Sequence, residues 1–127
     1  MLLKRRHHQL VRLRELDDLG PLLISTGDSR DRVRAIADAQ ATFGGAAQAR
    51  IVSRRFEGRR SLYVVLRYTS SRVTIGTLDP VVSRKIAWRV RILALNNRVV
   101  TCPASIDADR HSPTYLDVWL NSPSAEL

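Results

Sequence analysis

The chain has 127 residues, 44% of them hydrophobic and 26% charged, with 21 Lys+Arg against 12 Asp+Glu for a net charge of +9. That length fits one domain with a core of its own, and the charged fraction argues against a wholly disordered chain. No apolar run reaches the roughly 18 residues of a membrane-crossing helix, and the single cysteine, Cys102, excludes an internal disulfide and a thiolate zinc cluster.

A charge surplus of this size raises the surface potential and attracts polyanions. Every basic residue except Lys4 and Lys85 is an arginine. Genomic base composition produces that bias as readily as phosphate recognition does. Charge alone therefore leaves two partners open, a nucleic acid or an acidic protein.

Residues 1–20 read as an appended basic arm or short helix. Lys4, Arg5 and Arg6 precede His7 and His8, then Leu10, Leu13 and Leu16 recur at three-residue spacing before a Gly20-Pro21 stop. The alternation of Val11 and Leu13 with Arg12 and Arg14 keeps a strand open. The segment develops no apolar stretch, so no secretory leader is expected and the expected compartment is the cytoplasm. Adjacent His7 and His8 cannot point the same way on a helix and read as solvated surface. The leucines here, which a small core need not cover, leave self-association open.

From Pro21 to about Asn121 the chain reads as one domain, with 122–127 as a tail. Pro21-Leu22-Leu23-Ile24-Ser25 suggests a short buried strand. A turn at 26–29 supplies a cap for a helix bearing Val33, Ile36 and Ala37 to about Gln40, and Gly44-Gly45 ends that unit. The period then becomes two. Ala47, Ala49 and Ile51 alternate with Arg50, Arg54 and Phe56, Leu62, Val64 and Leu66 with Tyr63 and Arg67, and Arg72-Val73-Thr74-Ile75 continues the pattern. These three segments predict an antiparallel meander.

Asp79-Pro80 opens a second helix, Asp as cap and Pro in the first turn, with Val82, Ile86, Val90 and Leu93 as its buried stripe. Trp88, beside Arg84, Lys85, Arg89 and Arg91, fits either the core or a second basic patch. Val100-Cys102-Ala104-Ile106 and Leu116-Val118-Leu120 give two closing strands, with Tyr115 and Trp119 sharing one face. The fold class is therefore α+β: a small, mostly antiparallel β-barrel or sheet of five to six strands with two helices.

Catalytic signatures are missing. The chain has no Gly-rich phosphate loop followed by lysine, no Gly-x-Ser-x-Gly elbow and no His-x-x-x-His pair. Asp107, Asp109 and His111 alternate in one turn without a partner cluster elsewhere, so they read as a polar turn, and neither metal nor cofactor is expected. Cys102, in an apolar-alternating stretch, reads as a small buried side chain.

The informative feature is the outer face of the meander. If Leu62, Val64, Leu66, Val73 and Ile75 point inward, then Arg50, Arg54, Phe56, Tyr63, Arg67 and Arg72 point outward. Aromatics interleaved with arginines make a platform on which bases stack while guanidinium groups hold phosphates. Arg59 and Arg60 in the connecting loop, and the arm Lys4-Arg5-Arg6, extend the positive field. The alternative is a solvated face in which arginine stems cover apolar surface.

Ile75-Gly76-Thr77-Leu78 running into Asp79-Pro80, a helix at 81–95, then Thr101-Cys102-Pro103-Ala104-Ser105-Ile106 and an aliphatic strand at 115–120, resembles the HIRAN family in order and pattern over roughly residues 21–121. The resemblance implies a small β-barrel module, a kind that in some DNA-repair remodellers captures the 3′ end of single-stranded DNA. The family's Asn-Pro-x-Asp motif, followed by Asn-Ala-Ile or Asn-Ala-Val, is absent. Gly58-Arg59-Arg60-Ser61 and Leu62-Tyr63-Val64 stand in its place, so no ligand-contacting residue of the family carries over. The expectation is a non-enzymatic module binding single-stranded DNA or RNA. The alternative is a regulatory, phage-type module that docks on an acidic protein partner.

Overall fold

Period-two alternation in the middle of the chain becomes a three-strand meander, and the segments on either side complete the sheet. The computed structural model describes residues 9–17, 19–109 and 112–121, without the side chains of Phe56, Asp109 and 112–115. In chain order the elements are β1 (Gln9–Arg12), α1 (Leu13–Leu16), β2 (Leu22–Ile24), a 3-10 turn, α2 (Arg30–Phe43) and β3 (Ala47–Phe56). There follow β4 (Arg59–Tyr68), β5 (Ser71–Thr77), α3 (Pro80–Leu95), β6 (Arg98–Asp109) and β7 (Ser112–Leu120).

The sheet runs β2-β7-β6-β3-β4-β5 and curls into a half-barrel, an α+β fold. These are the six strands that the sequence pattern implies. The seventh, β1, lies parallel to the start of β6, with Val11 opposite Val100.

Here the structure corrects the reading of 1–20 as an appendage. From Gln9 onward the segment is built in: Leu13 is fully buried in the core, and Leu16 and Leu19 pack against it. The helix expected there is a single turn, preceded by a strand. The physical reason is that β6 is longer than β7, so the edge beyond their pairing has free backbone groups, and β1 satisfies them. Lys4, Arg5, Arg6, His7 and His8 lie outside the described residues.

Local chemistry sets the connections. Glu57 and Gly58 both have positive φ, 50° and 79°, the two-residue turn whose twist suits a β-hairpin. It fixes the register that sets Ile51 opposite Val64 and Ala49 opposite Leu66. Ile75 is an extra residue between the pairs Val65–Thr74 and Val64–Gly76, a bulge. A Cβ on Gly76 would stand 2.8 Å from the Ser25 carbonyl oxygen, so the bulged strand requires glycine there.

Both long helices feed one core. Val33 and Ile36 of α2, and Ile86 and Val90 of α3, join the inward residues Ile51, Val64, Leu66, Val100, Val118 and Leu120. Asp79 caps α3 by accepting from the Val81 N–H at 2.8 Å. The Tyr68 hydroxyl donates to the Gly44 carbonyl at 2.5 Å, tying the end of α2 to β4. No helix among the described residues is long and apolar enough to cross a membrane.

Candidate nucleic-acid interface

Strand alternation carries the odd residues of β3 and the even residues of β4 inward, so the opposite parity faces out. Three cross-strand rows define that outer face: Gln48–Arg67–Arg72, Arg50–Val65–Thr74 and Val52–Tyr63–Thr77. Val65, at the centre, is only 7% exposed and yet stands apart from the main core cluster. Long arginine stems around it explain that burial, since Arg50, Arg67 and Arg72 line one cleft with it.

The cleft holds about 270 Å³ and takes five arginines, Arg50, Arg54, Arg67, Arg72 and Arg98, with Val52, Val65, Val90, Ala94 and Val99 as its apolar walls. Among the described residues, its lining includes no carboxylate, histidine or cysteine. Burial, and then the fields of Arg67 and Arg72, lower the Arg50 guanidinium below its ordinary pKa. Each of these costs disfavours the cation in the free protein, and the attraction of an anion in the cleft offsets them.

Of the residues expected to form the platform, Arg50, Arg54, Arg67 and Arg72 are brought together. Tyr63, half-buried, shares their face but lies one row beyond the cleft. Phe56 ends β3, and its side chain lies outside the described set. Arg59, opposite Phe56, is exposed at the hairpin tip. Arg60 has the parity of Leu62 and donates to the hydroxyl of Ser53, which lines the cleft, at 3.3 Å, while Arg60 itself is not part of the lining.

Arg98 is the residue that sequence reasoning missed. It reaches the cleft because α3 returns the chain to the start of β6 beside β3, a tertiary relation that no local spacing marks. Cys102 is buried, and burial pushes its thiol up to about 12 against an opposing hydrogen bond from the Asn121 backbone. It is a neutral core side chain at physiological pH. Trp88 is exposed, with the Arg89 guanidinium 5.7 Å from its ring centroid. Neither a protein-family model nor a curated protein or solved structure matches this chain.

Proposed function

We propose that the protein is a non-enzymatic module that binds single-stranded DNA or RNA across the outer face of the β3–β4–β5 meander. The observation that carries this reading is the gathering of Arg50, Arg67 and Arg72 around Val65 in a cleft with no carboxylate among its described lining residues. Two of these cations lie directly opposite each other, an arrangement that costs stability unless an anion sits between them. Arg54 and Arg98 lengthen the positive track, and Tyr63 offers a stacking surface beside it. Capture of strand ends, which the HIRAN resemblance implies, belongs to the same proposal.

The cleft lining offers guanidinium groups, aliphatic walls and Ser53, with no base among the described lining residues to activate that hydroxyl. Holding an anion is the chemistry this set performs best. The test is fluorescence anisotropy of a labelled oligothymidylate of about 12 nucleotides, titrated against an acidic peptide of equal charge. Tighter binding of the oligonucleotide is expected. Preference for the peptide would move the function to an acidic protein partner.

A further inference from the structure

Helix α3 has a second apolar face, opposite the one that it buries. Val81, Trp88, Ile92 and Leu95 are 62%, 60%, 45% and 80% exposed. At 100° per residue they fall within a stripe about 60° wide, on the other side of the helix from Ile86 and Val90. With Lys85 between them, positions 81, 85, 88, 92 and 95 follow the alternating four-and-three spacing of a coiled-coil seam.

The residues flanking this seam are Arg84 and Arg91 on one side and Arg89 on the other, and α3 contains no Asp or Glu. Arg89 is held in place, donating to the Leu16 carbonyl while lying over the Trp88 ring. The indole is thereby steadied at the middle of the seam.

We infer that α3 docks an amphipathic helix of a partner protein, one with apolar a and d positions and Asp or Glu at the flanking e and g positions. Charge complementarity selects this occupant. A second copy of the chain would set Arg84 and Arg91 against arginines, which the flanking-charge rule disfavours. A lipid surface suits a wide apolar face, whereas this stripe is interrupted by Lys85, flanked by Arg84, Arg91 and Arg89, and has the narrow width of a helix-pairing seam. Lys85 at an a position fixes register at some cost in affinity. The seam is about 21 Å long, so the contact is short and of the reversible class.

The test uses the full chain and a designed peptide of about three heptads, Leu at a and d and Glu at e and g, followed by anisotropy. A Lys-flanked version, anionic phosphatidylserine vesicles and sedimentation of the protein alone are run beside it. Binding of the Glu peptide and not of the Lys peptide is expected, with Trp88→Ala weakening it by roughly thirtyfold. The double variant Arg84→Glu/Arg91→Glu, exposed and outside the core, should invert the peptide preference. The inference is overturned by vesicle binding without peptide binding, by self-association through this face, or by failure of the charge swap to invert preference. Loss of peptide binding in Arg67→Gln/Arg72→Gln would also overturn it, by moving the contact to the arginine cleft. The two surfaces are separate, so failure of one assignment leaves the other standing.

Discussion

Arg67 and Arg72 stand directly opposite each other in the β4–β5 ladder, and, after burial, their fields depress the guanidinium of Arg50 on β3. A cross-strand pair of like charges costs stability. A fold that keeps three of them around one buried valine gives up stability at a place where an anion would restore it.

It follows that Arg72→Gln should raise stability and lower function together. The gain expected is small, roughly 0.2–1 kcal/mol for relief of a partly exposed pair. Thermal denaturation at low salt measures it, and the same variant should bind single-stranded DNA more weakly. A destabilised Arg72→Gln would mean that the side chain holds the sheet together instead.

The two faces of the β3–β4 hairpin should separate by mutation. Tyr63→Ala is expected to cost about 1–3 kcal/mol of single-strand affinity through lost stacking, with the salt dependence unchanged. Arg54→Gln should weaken binding and flatten the salt dependence, because Arg54 lines the cleft. Arg60→Gln, at a residue that does not line the cleft, should do neither. Equal effects from Arg54 and Arg60 would reduce the platform to general basicity.

Much of the fold was legible because alternation in 47–78 and the Asp79-Pro80 start are local signals, and local signals survive into the structure. The outward set Arg50, Arg54, Arg67 and Arg72 was legible for the same reason, since parity along a strand decides its face. Arg60, read as part of the connecting loop, lies in β4 with the parity of Leu62, because the turn is only two residues long. Leu13 and Arg98 were hidden by long-range geometry. One depends on a parallel pairing between the first strand and β6, the other on where α3 delivers the chain.

The first segment supplies a stability prediction. Leu13 is fully buried, so Leu13→Ala should cost about 2–5 kcal/mol in a urea melt. A cost below about 1 kcal/mol would return residues 9–16 to the status of an appendage.

Cys102 gives a pH prediction. Its folded pKa of about 12 lies above the ordinary value of 9.0, so the neutral thiol is the form the fold favours. Its contribution is fully present below pH 9 and is lost as pH rises towards 12. Native protein should therefore resist alkylation by iodoacetamide near neutral pH and react on unfolding. Rapid native alkylation would contradict the burial.

The salt dependence of single-strand affinity tests the central claim most directly. Each phosphate neutralised contributes a slope of roughly −0.7 in log affinity against log salt. Replacing Arg50, Arg67 and Arg72 together by glutamine should flatten the slope by about 2 while the fold stays cooperative. A triple variant that binds oligothymidylate with the wild-type slope would contradict the assignment of this cleft as the nucleic-acid site.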